Sequence, residues 1–80
     1  MSISEAHRLV MEWSKTEYSK YDSVGVRSIE LSTYGCSAVN NRWYYRFDLK
    51  PVFDGNEVWG AGNWAAVLMD GTVIGSTEID

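Results

Sequence analysis

Cysteine is nearly missing from this 80-residue sequence: Cys36 stands alone, so no intrachain disulfide can form. Histidine is equally scarce, with His7 its single instance, and one Cys plus one His cannot furnish the four-ligand shell of a structural zinc site. The same scarcity leaves no nucleophile–base–orienter set, because Cys36 has no neighbouring base and His7 falls in the first turns of a surface helix. An enzyme is therefore not expected, and neither a metal nor a cofactor. No apolar run reaches the roughly 20 residues that span a bilayer, nor does a basic segment followed by an apolar one open the chain. The expectation is a cytoplasmic protein without membrane association. Basic residues are outnumbered, 7 against 11 acidic, and the net charge of −4 disfavours nucleic-acid binding by phosphate neutralisation. Beyond Pro51 there is no Lys or Arg at all.

What is abundant is aromatic: four Trp, five Tyr and two Phe. A chain of this size buries only about 60 to 65% of its unfolded surface, so one domain covering residues 1–80 is expected, and large rings must do much of the packing. Ser2 and Glu5 have the spacing of a capping box, which predicts a helix from Ile3. Ile3, Ala6, Leu9, Val10 and Trp13 form its apolar stripe, opposite Glu5, Arg8, Glu12 and Lys15. The pattern fades between Tyr18 and Asp22.

Residues 24–34 alternate as a strand, with Ile29, Leu31 and Thr33 on one face. Val24 and Val26 have the opposite parity, which demands either a bulge near Arg27 or a late strand start. Residues 35–41 read as a turn region. Arg42 to Lys50 alternates strictly, Trp43, Tyr45, Phe47 and Leu49 against Arg42, Tyr44, Arg46, Asp48 and Lys50, and pairing should weaken at Pro51. Asp54 to Asn63, with three glycines, reads as a loop. Residues 64–69 and 72–79 flank Asp70-Gly71, the signature of a two-residue type I′ turn that would set Leu68 opposite Val73 and Val67 opposite Ile74. The fold class expected is α+β: an N-terminal amphipathic helix packed on a four-stranded antiparallel meander sheet. Both faces of the last hairpin are apolar, so the back of the sheet meets a partner or curls against the long loop.

Two partial motifs carry no chemistry. Asp54-Gly55-Asn56 lacks the rest of a calcium loop, and Gly60-x-Gly62 lacks the third glycine and the strand-to-helix setting of a phosphate cradle. The candidate partner-binding residues are Arg42, Tyr44 and Arg46, spaced by two on the face opposite Phe47, because planar rings and guanidinium groups dominate binding hot spots. Trp59, in the Gly-rich loop, either joins that contact or covers the end of the core. Asp54 and Glu57 belong to an acidic C-terminal half that could steer a charged partner. A hollow between helix and sheet lined by Trp13, Trp43 and Trp64 is a further reading, as is a homodimer formed through the apolar outer face of the terminal hairpin.

The order helix, strand, strand, long loop and terminal hairpin, with Trp43-Tyr44-Tyr45-Arg46-Phe47 and Val67-Leu68-Met69-Asp70-Gly71-Thr72-Val73, resembles small cystatin-like and PepSY-like domains and some immunity proteins of bacterial polymorphic toxin systems. The inhibitory Q-x-V-x-G segment of cystatins is missing, so the resemblance does not imply protease inhibition. The lack of an export signal departs from PepSY proteins. The immunity type is the better match, and it implies a cytoplasmic, non-enzymatic protein that neutralises a cognate toxin or effector.

Overall fold

In the computed structural model, which describes residues 1–33, 42–58 and 62–75, one helix lies on one face of an antiparallel sheet. Helix α1 spans Ile3–Glu17. The Ser2 side chain accepts a hydrogen bond from the Glu5 backbone N–H at 3.1 Å, satisfying one of the orphan donors of the first turn. Arg8 and Glu12 pair one turn apart on the exposed side. The buried stripe is Ala6, Val10 and Ser14, with Leu9, Met11 and Trp13 packed against the core beside it. Ser14 is a polar residue in that stripe, and its hydroxyl donates to the Met11 carbonyl at 2.8 Å. Ile3, expected in the stripe, is exposed instead, because it stands at the very start of the helix.

The strands are β1, Ser23–Ser32; β2, Tyr44–Phe53; β3, Asn56–Glu57; β4, Trp64–Leu68; and β5, Val73–Gly75. Their order is β1-β2-β4-β5, and the short β3 also pairs with β2. The expected four-stranded antiparallel sheet under one helix is thus present, with β3 as an addition. The register shifts between Val26 and Ser28, a bulge at Arg27. That irregularity resolves the parity conflict: Val24 and Val26 face the same way as Ile29 and Leu31, opposite Pro51, Leu49, Phe47 and Tyr45 in turn.

The weakening of pairing expected at Pro51 does not occur: β2 runs through it to Phe53, with Pro51 opposite Val24. The Pro51 carbonyl accepts from the Val58 N–H at 2.8 Å. In a strand the N–H and C=O of one residue point to the same side, so the missing donor faces the β3 side, beyond the reach of β4, and the β1 ladder loses nothing. The presumed loop from Asp54 also contains structure: Asp54 and Gly55 both adopt positive φ (53° and 78°) and close a two-residue turn between Phe53 and Asn56.

At Asp70-Gly71 the turn differs from expectation by one residue. The Leu68 N–H donates to the Thr72 carbonyl and the Gly71 N–H to the Leu68 carbonyl, both at 2.9 Å, while only Gly71 (φ 95°) is left-handed. The loop therefore has three residues, and Val67 pairs with Val73 and Ala66 with Ile74. This shift exchanges the faces of Val73 and Ile74 relative to the expected pairing.

Two apolar clusters result. On the helix side Ala6 and Val10 meet Tyr45, Phe47, Leu49, Ala65 and Val67. On the opposite side Tyr44, Ala66 and Leu68 are buried, with Trp64 and Ile74 packed against them. No helix among the described residues is long and apolar enough to cross a membrane.

Candidate interaction surface

Helix α1 rests on β2, β4 and β5. The C-terminal half of β1 extends past its cover, so Ile29 and Leu31 point to the helix side of the sheet yet stay open to solvent. Leu31 lies opposite Tyr45, whose hydroxyl donates to the Met1 carbonyl at 3.1 Å, so the start of the chain sits beside this open end. Trp43 precedes β2, and Met69 follows the residue that pairs with Tyr44. With Arg42, Leu68 and Asp70 these two side chains bound a shallow, mostly apolar hollow of about 340 Å³.

Of the exposed large apolar side chains among the described residues, Ile29 and Leu31 lie on the open half of β1, Trp43 and Met69 line the hollow, and Met1 and Ile3 stand at the start of α1. Trp43 is 56% exposed and Leu31 52%. Scattered apolar residues on a surface are ordinary, and these are singled out as a candidate contact surface by their size and exposure. Its rim is charged: the Arg42 guanidinium stands 3.9 Å from the Asp70 carboxylate. The Thr72 backbone N–H donates to Asp70 at 2.9 Å and, with Arg42 nearby, holds the Asp70 carboxyl below its ordinary pKa.

The row expected to form the contact face is not a row. Arg42 is exposed at the rim of the hollow, but Tyr44 is only 2% exposed, sunk between Ala66 and Leu68 on the face away from the helix. Alternation placed it on the right face; that face is itself packed. Arg46 is half exposed and held: its Nε donates to Asp48 at 3.2 Å, and its guanidinium lies 4.3 Å above the Trp64 ring. Asp54 and Glu57 are exposed at the other end of β2, where Glu57 stands 3.6 Å from Lys50 Nζ and Asp54 serves the turn. They do not join Arg42. Trp59 and the turn region 35–41 lie outside the described residues, as do residues 76–79 of the last expected strand.

The three-tryptophan hollow does not form either, since Trp13 packs on Gly75 on the helix side, Trp64 on the opposite cluster, and Trp43 at the open end. On the outer face of the terminal hairpin Ala66 and Leu68 are buried, with Trp64 and Ile74 packed against them. No described group of three or more His, Cys, Asp or Glu could hold a metal ion.

Comparison with known protein families, curated proteins and solved structures gave no match. The site therefore stands on its geometry. Alternation alone does not mark Ile29 and Leu31 as exposed, because it is that of core residues, and how far a helix reaches across a sheet is not written in strand periodicity.

Proposed function

We propose that this protein is a non-enzymatic protein-binding domain, an immunity or inhibitor protein that neutralises a cognate bacterial toxin or effector by seating an apolar surface of that partner on the open end of its sheet. The observation that carries this reading is the gathering of exposed apolar side chains around Trp43 and Leu31 beside the start of α1. An aromatic ring in such a patch offers a large contact area with few rotatable bonds, the usual chemistry of a hot spot. The Arg42–Asp70 pair at the rim supplies charges suited to orientation more than to affinity. The likeness of the Trp43–Phe47 segment and the late Asp-Gly hairpin to immunity proteins supports the choice of partner.

Trp43→Ser and Leu31→Ser should abolish capture of whichever protein co-purifies with the tagged native chain, and protection of a cell made to express that protein. Arg8→Ala, on the exposed side of α1, should leave both intact. Capture and protection unchanged in both apolar variants would refute the reading. Sedimentation at rising concentration separates a foreign partner from a second copy: a monomer throughout excludes the homodimer.

A further inference from the structure

At the other end of α1 the chain forms a second hollow, of about 240 Å³, lined by Trp13, Glu17, Tyr18, Tyr21, Asn63 and Gly75. Its walls are aromatic. Trp13 and Tyr18 meet edge to face at 6.1 Å and 75°, and Tyr18 and Tyr21 at 5.2 Å and 70°. All three rings line the one hollow, each set steeply against the next. Two contacts fix this arrangement. Gly75 has no Cβ where Trp13 lies, and the Tyr18 hydroxyl reaches the Asn63 side-chain oxygen at 3.4 Å. Tyr21 is held in turn against Phe53 at 5.8 Å.

The charged group that lines the corner is negative, while Lys15, in the last turn of α1, lines the adjoining hollow that shares Tyr18 and Tyr21. Ring faces are negative, Glu17 adds a carboxylate, and α1 ends at Glu17, so the negative pole of the helix dipole lies at the same place. No Lys or Arg is among the lining residues. Burial, followed by the proximity of Tyr21 and Glu17, raises the Tyr18 pKa, so the phenol remains a neutral donor at any physiological pH. A hollow of this volume is below the range of about 300 to 1,000 Å³ typical of drug-sized ligands, and so suits a compact head group.

We propose that this corner is a binding site for an alkylated ammonium group, held by cation–π contact with Trp13, Tyr18 and Tyr21 and by the Glu17 carboxylate. The shared chemistry could be presented by a free quaternary amine or by a methylated lysine side chain. This proposal is independent of the apolar surface at the start of α1, and either can fail alone.

The test is a titration of the whole, isotope-labelled chain, following the Trp13 indole N–H by NMR. Choline should give a saturable shift, and 3,3-dimethyl-1-butanol, its neutral isostere, should bind about tenfold more weakly, the margin expected of desolvated cation–π contact. Glu17 is exposed, so Glu17→Gln should leave the spectrum of the free protein intact while weakening choline about threefold and the isostere not at all. A trimethyllysine peptide that binds more tightly than choline assigns the site to a protein side chain; the reverse order assigns it to a free amine. Equal binding of choline and the isostere, or no saturable shift well above about 1 mM, overturns the proposal.

Discussion

Gly75→Ala isolates the contact that locks helix to sheet. A Cβ built at Gly75 would lie 2.7 Å from Trp13 Cζ2, closer than carbon atoms approach, and a tight 3.2 Å from Cη2, and the obstacle is a ring rather than a flexible chain end. The Trp13 ring must therefore shift, and overpacking of this kind costs about 1 to 3 kcal/mol. Against it stands a backbone gain: Gly75 is not in a left-handed conformation, so alanine fits its φ and, by lowering the entropy of the unfolded chain, stabilises by about 0.4 to 1 kcal/mol. The net expectation is a loss of about 1 kcal/mol, which for a chain of this size lowers Tm by about 4 to 8 °C. Urea unfolding followed by tryptophan fluorescence should show a lower midpoint with an unchanged slope. Trp13→Phe removes the atoms in conflict, so Gly75→Ala introduced into that background should be neutral or stabilising. If Gly75→Ala is stabilising in the native chain, or costs the same with and without Trp13, the lock between this glycine and this ring does not exist.

Ser2→Ala should cost about 1 kcal/mol, the ordinary worth of an N-cap, and lower helicity measured by circular dichroism before the main unfolding transition. Tyr44→Ala should destabilise by about 3 kcal/mol or more, as truncation of a buried ring does, visible as a large drop in the urea midpoint; a near-neutral result would mean Tyr44 faces water after all. Asp70 makes a pH-dependent contribution. Its carboxyl pKa is lowered from 3.8 by the Thr72 N–H, so the stabilisation is present above the unfolded value and is lost as pH falls through the lower folded one. The gap in urea midpoint between the native chain and Asp70→Ala should accordingly be constant near neutrality and close below about pH 4, and a gap that widened in acid would contradict this.

The start of α1 follows from Ser2 and Glu5 alone, since a cap is a contact between residues three apart. Strand β2 is likewise legible from its alternation, a local property of one extended segment, whereas the parity conflict between Val26 and Ile29 allows either a bulge or a late strand start, and pairing with β2 decides for the bulge at Arg27. Tertiary structure alone decided the rest. Alternation separates Tyr44 from Tyr45 but cannot say that both faces are covered; that depends on what packs against each, and here Tyr44 has Ala66 and Leu68. Asp70-Gly71 announces a turn, yet a two-residue and a three-residue loop differ only in which partner β5 finds on β4, and Val67 opposite Val73 joins the helix-side core while Ile74 goes to the other cluster. The open end at Leu31 and Trp43, and the aromatic corner of Trp13, Tyr18 and Tyr21, arise the same way. Fifteen residues of helix cover only part of a sheet whose longest strands have ten, and that helix is seated both by Ala6 and Val10 in the core and by the Trp13 ring against Gly75.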